Sequence, residues 1–316
     1  QLDVDRTPRE PRPDDWFEDV AERAGIRFAY RDGSEAAFYQ MLEMYGGGAA
    51  LFDYDRDGDV DVFLTGGGKL TGPPIEVLGR PCALFRNDGA WQFTDVTREA
   101  GLDDDGLYTH GASAADFDRD GYPDLFVAGF GGLRLYHNRQ DGSFADVTES
   151  SGLASDGWNI AGAWADVDRD GWLDLYVLVY SDWQPDHTRR CKNDNQRRDC
   201  CGPTLFDGNP DHLFRNRGDG TFEEISEEAG IVQRNRGLGI VAVDLNEDGW
   251  IDFYVGNDAQ ENHLYLGGPE LSFRSEGVLA GVAFSVAGER EGTMGVDVGD
   301  FDGDGLPDLW WCNFAG

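Results

Sequence analysis

One pattern of oxygen-bearing side chains recurs five times in the chain: Asp-x-Asp/Asn-x-Asp-Gly-x-x-Asp. The copies are Asp53, Asp55, Asp57 and Asp61; Asp116, Asp118, Asp120 and Asp124; Asp166, Asp168, Asp170 and Asp174; Asp244, Asn246, Asp248 and Asp252; and Asp300, Asp302, Asp304 and Asp308. Side-chain oxygens at loop positions 1, 3 and 5 converge on one point, and glycine at position 6 permits the sharp turn. Position 7 offers a backbone carbonyl, and the aspartate at position 9 can chelate with both oxygens. This donor set suits calcium, a hard cation that takes about six to eight oxygens, better than magnesium. We expect about five calcium ions with a structural role, because crowded carboxylates repel one another without a cation. The EF-hand is excluded, since it needs a bidentate glutamate at position 12 between two helices. Here that position holds Leu64, Val127, Val177, Val255 and Trp311.

The loops need elements to hold them, and their flanks supply strands. The loop starts are 63, 50, 78 and 56 residues apart, a period that suits four-stranded propeller blades. Small apolar runs such as Gly48–Phe52 and Gly239–Val243 precede the loops. Runs rich in β-branched and aromatic residues follow them, such as Leu125-Phe126-Val127 and Phe253-Tyr254-Val255. A second unit, Leu84-Phe85-Arg86-Asn87-Asp88-Gly89 and then Phe93-Thr94-Asp95-Val96, reads as a hairpin and returns at Leu135 and Leu213. Each unit therefore predicts strand, acid loop, strand, strand, turn, strand, which makes an all-β fold, a β-propeller of four-stranded blades. A lone copy of the closing strand, Trp16–Val20, precedes the first acid loop and could complete the final blade. Residues 1–14 read as a flexible Pro-rich linker and 15–316 as the propeller, with an inserted loop at about 181–211. The chain stops just after the second strand of a fifth unit, so further C-terminal blades are expected.

Among the 316 residues, 61 acidic side chains outnumber 26 basic ones, for a net charge of −35. Such a balance excludes unaided binding to nucleic acid or to an anionic membrane. No apolar run approaches the ~18 residues of a membrane span. The acidity is mostly aspartate, 43 against 18 glutamates, as loops rather than helix surfaces require. Of five cysteines, Cys82, Cys191, Cys200, Cys201 and Cys312, none forms a Cys-x-x-Cys zinc pattern. A loop disulfide from Cys191 to Cys200 or Cys201 is expected, which implies an oxidising compartment.

Other groups are weaker candidates. Arg189, Arg190, Lys192, Arg197 and Arg198 could dock an acidic ligand, although a disulfide-pinned, solvated loop explains them as well. Trp158, Trp164, Trp172 and Trp183 could stack on sugars, but packing between blades is the commoner use. His110, His137, His187, His212 and His263 show no metal-ligand spacing, and no catalytic residue is assigned. Gly237-Leu238-Gly239-Ile240-Val241-Ala242 leads into a strand rather than a helix and is rejected as a dinucleotide site.

The stretches Met44–Asp59, Leu213–Phe222 and Cys200-Cys201-Gly202-Pro203 carry a family resemblance. The chain resembles the FG-GAP/VCBS repeats of integrin α-chain propellers, and more closely the cartilage acidic protein 1 group with its ASPIC/UnbV-type relatives. The resemblance implies a secreted, calcium-binding propeller, seven-bladed when complete and truncated here, in an extracellular setting or in the bacterial periplasm or cell surface. It also implies a protein or glycan interaction and adhesion module, without nucleic-acid binding or membrane insertion. The alternative is a polysaccharide-active enzyme on a calcium-braced scaffold.

Overall fold

The computed structural model describes residues 17–187 and 189–314. The linker expected over residues 1–14 lies outside them. Consecutive antiparallel sheets follow one another along the chain. The first is built from Ala49–Phe52, Asp61–Leu64, Ala83–Asn87 and Phe93–Asp95. The second uses Tyr108–Ala115, Asp124–Phe130, Gly132–Asn138 and Phe144–Asp146. The third uses Asn159–Ala165, Asp174–Val179, His212–Asn216 and Phe222–Glu224. The fourth uses Gly237–Val243, Asp252–Gln260, His263–Leu266 and Arg274–Ser275. Glu291–Gly299 and Asp308–Phe314 form a fifth pair, joined to the fourth sheet through Asp258–Gly292 and Gln260–Glu291. In all five units the acid loop joins the first strand to the second.

The second strands explain why the sequence there is apolar without a break. Leu125 and Val127 pack toward the first sheet with Phe63 and Leu84. Phe126 and Ala128, on the opposite face, pack toward the third sheet with Leu175 and Phe214. The third sheet repeats this, with Tyr176 and Leu178 facing Phe253 and Tyr265 of the fourth. A strand buried on both faces has no polar side to alternate. Each fully buried side chain of this size contributes about 2 kcal/mol, so the contacts between sheets hold the fold together. The first strands approach one another closely. A Cβ built on Gly48 would stand 2.8 Å from His110 O, and one on Gly111 would stand 2.1 Å from Ile160 O.

Asparagines pin adjacent sheets. Asn138 Nδ2 donates to Tyr54 O of the preceding acid loop at 2.8 Å and to Pro123 O at 3.1 Å. Asn216 Nδ2 does the same to Phe117 O at 2.8 Å and Leu173 O at 3.1 Å. Where each closing strand ends, a glycine packs on the closing strand of the next sheet: Gly101 on Phe144 O, Gly152 on Phe222 O, Gly230 on Phe273 O. The lone N-terminal copy follows the same rule. Phe17–Val20 form no strand, but the short helix Ala21–Ala24 and the left-handed Gly25 follow, and Gly25 packs on Phe93 O. The segment therefore lies where the outer strand of a preceding sheet would lie, and among the described residues no strand pairs with it.

In the insertion, Cys191 is bonded to Cys201, one of the two expected partners. The loop is docked rather than free. Arg198 donates to Phe38 O at 2.7 Å and lies over the Tyr39 ring, while Arg189 lies over Phe206 and donates to Leu205 O. An apolar cluster of Met41, Leu42, Tyr108, Trp158, Tyr180 and Trp183 fills the space beneath.

Candidate metal loops and a central cavity

The acid loops share one backbone geometry. Position 4 is left-handed in every copy, at Arg56, Arg119, Arg169, Glu247 and Gly303, and so is the glycine at position 6. The carboxylate at position 1 accepts from the backbone N–H groups of positions 5 and 6: Asp57 N and Gly58 N reach Asp53 at 3.1 and 3.0 Å. Asp116, Asp166 and Asp244 repeat these two bonds. In the fifth loop Asp300 holds Gly303 N and Gly305 N instead. These bonds aim the carboxylates inward before any ion arrives. Ligand oxygens lie within 4.8 Å of one another in Asp53/Asp55/Asp57, Asp116/Asp118/Asp124, Asp166/Asp168/Asp174 and Asp300/Asp302/Asp304. That span is about the diameter of a calcium coordination sphere with oxygens near 2.4 Å. The fourth loop, with Asn246 at position 3, keeps the same backbone bonds.

The aspartate at position 9 has a second duty. Asp61 accepts from Tyr54 N with Oδ2 and from Asn87 N with Oδ1, which ties the loop to the third strand. Asp124, Asp174 and Asp252 are held in the same way. All four are sealed from solvent. Burial, only partly offset by these N–H groups, pushes Asp61 up to about 6, Asp124 to about 8 and Asp174 to about 7. A nearby cation would restore the charged form.

Basic side chains from the third strand also reach these loops. His137 Nε2 lies 2.9 Å from Asp118 Oδ2 and 3.5 Å from Asp120 Oδ2. At the equivalent hairpin position, Arg215 lies 2.5 Å from Asp168 Oδ2 and 3.6 Å from Asp170 Oδ2. Sequence spacing could not reveal this, because pairing across the sheet brings the residues together. Neighbouring loops are latched as well. Arg56 stacks over Tyr122, Arg119 over Trp172 and Arg169 over Trp250, each joining position 4 of one loop to position 7 of the next. The tryptophans expected to pack do so: Trp158 and Trp183 are buried, and Trp164 stacks on Phe117.

Around the starts of the first strands lies a cavity of 1210 Å³. Tyr45, His110 and Asp258 line it. Tyr180 donates to Asp258 Oδ2 at 2.5 Å, and Tyr45 donates to Tyr180 and lies 3.4 Å from the same oxygen. Burial raises both phenols, so they remain neutral donors. His110 Nε2 accepts from Trp158 Nε1 at 2.9 Å, and its Nδ1 faces Gly46 O at 3.4 Å. Burial pushes His110 down to about 4. Asp258 and Tyr180 carry no motif and were not singled out by spacing. Both stand six residues after their position-9 aspartate, where the other units place Gly67, Phe130 and Phe314.

The FG-GAP-like repeat pattern matches residues 53–127, 116–177, 193–255 and 244–311. Human cartilage acidic protein 1 is 31% identical over 107 residues, covering 34% of this chain and 16% of that protein. The mouse protein of the same name is 25% identical over 250 residues, covering 73% of this chain and 35% of that protein. The chain thus spans about a third or less of the length of these relatives. A solved Agrocybe aegerita lectin that recognises non-reducing terminal N-acetylglucosamine is similar at 17% identity and a TM-score of 0.45, covering 82% of this chain and 59% of that one. The V. cholerae biofilm matrix protein Bap1 is similar at 13% identity and a TM-score of 0.42, covering 83% of this chain and 34% of that one. With four matched segments across most of its length, the chain belongs to the FG-GAP-like repeat family.

Proposed function

We propose that this chain is a calcium-braced extracellular β-propeller module that recognises a protein or a glycan. The observation that carries the reading is one donor geometry repeated in five loops, with carboxylates already held inward by backbone N–H groups. In each loop the side chains at positions 1, 3 and 5 would hold the ion: Asp53, Asp55 and Asp57; Asp116, Asp118 and Asp120; Asp166, Asp168 and Asp170; Asp244, Asn246 and Asp248; Asp300, Asp302 and Asp304. Asp61, Asp124, Asp174, Asp252 and Asp308 would complete the sets while keeping their bonds to the backbone. The ions would supply positive charge where carboxylates converge, and would fix loops that join consecutive first and second strands. The Cys191–Cys201 disulfide supports an oxidising, extracellular setting.

The test is thermal melting with calcium and then with excess EDTA. Each site at free calcium tenfold above its Kd adds about 1.4 kcal/mol, so removal should lower the melting temperature by several degrees. An unchanged melting curve would sink the structural-calcium reading. A glycan array beside a protein pull-down separates the two partner classes. Release of reducing sugar from a polysaccharide would favour the enzyme reading instead.

A further inference from the structure

We infer that the central cavity binds an organic ammonium ion, with Asp258 as its counter-ion. This goes beyond the metal loops, which follow the ends of the first strands, whereas the cavity surrounds their starts. The Asp258 carboxylate forms part of the wall and is only 8% exposed. Two phenols converge on its Oδ2. Its Oδ1 faces the backbone of Gly292, where a Cβ would stand 3.2 Å away; glycine leaves no side chain over that oxygen.

Carboxylates outnumber guanidinium groups in the cavity lining, with Asp258, Glu289 and Glu291 against Arg290. Arg236, the guanidinium bound at this segment, donates to the backbone carbonyls of Asp258, Ala259 and Phe206 rather than to the carboxylate. Arg290 at the cavity edge is paired with Glu261 at 3.3 Å. Glu289 and Glu291 add negative charge to the lining. His110 contributes none, because its Nε2 is occupied by the Trp158 N–H. A chain of net charge −35 also draws cations from solution.

The walls select an organic cation over a metal ion. Calcium needs about six oxygens or more, whereas the wall beside Asp258 is aromatic: the Tyr45 ring lies 5.1 Å from Trp158 and 5.0 Å from Tyr180. Aromatic faces attract ammonium groups. Ile160, Leu238 and Met294 line the rest of the cavity and suit an apolar stem. A free alkylamine and the lysine side chain of a partner protein share this chemistry.

Calorimetry on the whole chain, with calcium present and folding verified by its melt, tests the assignment. The probes are n-butylammonium and the peptide acetyl-Gly-Lys-Gly-amide, with 1-butanol and butyrate as the neutral and anionic controls. At least one ammonium probe should bind ten or more times more tightly than 1-butanol. Binding of the peptide alone identifies a partner's lysine as the source, and binding of butylammonium alone identifies a free amine. D258N, which keeps an acceptor for Tyr180, should weaken binding at least tenfold. G292V, which places a side chain against Oδ1 and leaves Asp258 itself unchanged, should weaken it likewise. No binding of either ammonium probe, equal binding of 1-butanol, or undiminished binding by both variants would overturn the assignment. Because the protein is calcium-loaded and folded in every arm, failure here leaves the metal-loop reading untouched.

Discussion

Replacing Asn138 with alanine isolates the link between sheets from the metal chemistry. The Asn138 side chain makes three hydrogen bonds: Nδ2 to Tyr54 O in the preceding acid loop, Nδ2 to Pro123 O, and Oδ1 from Gln140 N. Its counterpart in the first sheet, Asn87, makes two, from Nδ2 to Val60 O and to Oδ1 from Gly89 N, with no reach to another sheet. Both residues are buried. At about 1 kcal/mol for each bond, Asn138→Ala should cost about 3 kcal/mol and Asn87→Ala about 2 kcal/mol. Asn216→Ala should match Asn138→Ala, because Asn216 also makes three bonds, one of them to Phe117 O of the neighbouring loop. Urea denaturation at saturating calcium, with circular dichroism as the probe, measures all three. The ordering matters more than the absolute values, since the variants share chemistry and burial. If Asn87→Ala costs as much as the other two, the bonds between sheets add nothing, and the account of how sheets are pinned is wrong.

Three further outcomes follow from the same geometry. Arg169→Ala should cost about 1 kcal/mol by removing the cation that lies 4.2 Å from the Trp250 ring centroid; Arg169→Gly should be close to neutral in the same melts, because glycine also relieves the positive φ of 63°. Arg215→Gln should tighten calcium binding at the third loop roughly fivefold in titration calorimetry, since this half-exposed guanidinium competes for Asp168 with about 1 kcal/mol after screening. Burial pushes His110 down to about 4 from 6.5, so at this group the unfolded chain takes up the extra proton, and its contribution to stability is lost as pH drops from about 6.5 to 4, against the opposite trend of the buried Asp61, Asp124 and Asp174. That loss should approach about 3 kcal/mol, read as the change with pH in the stability difference between wild type and His110→Gln in urea melts.

Much of the architecture is legible in the sequence because each repeat carries its own local instructions. The glycine at position 6 and the alternate aspartates mark the turn, and Leu125-Phe126-Val127 announces a strand, whose burial on both faces only the structure adds. The left-handed arginine at position 4 was not legible, because arginine has no intrinsic preference for that conformation and is held there by its neighbours. The strand pair Gly68–Thr71 and Glu76–Gly79 was missed for a similar reason: it lies outside the repeat and has no apolar alternation strong enough to mark it. Residues 181–211 were legible as an insertion with a disulfide, whereas the docking of Arg189 and Arg198 depends on segments far away in sequence.

The acidity has a more specific meaning than its total suggests. Nineteen of the 43 aspartates belong to the five loops, and five divalent ions would bring the net charge to about −25. Yet the loops are not equivalent. The third-strand position facing the loop is His137 in the second unit and Arg215 in the third, each within ion-pair distance of the carboxylates, but Leu266 in the fourth. The unit with the apolar residue there is also the one whose position 3 is neutral Asn246. In the second, third and fourth units the negative charge of the loop thus follows the residue its own sheet places beside it, whereas Arg86 of the first unit pairs with Asp88 instead. Loop residues repeat because every sheet uses the same turn between its first and second strands, whereas the shared repeat position that follows varies, as Gly67, Phe130, Tyr180, Asp258 and Phe314. Side chains outside the loops are free to shape the cavity, and of those five Asp258, the single carboxylate, and Phe314 line it.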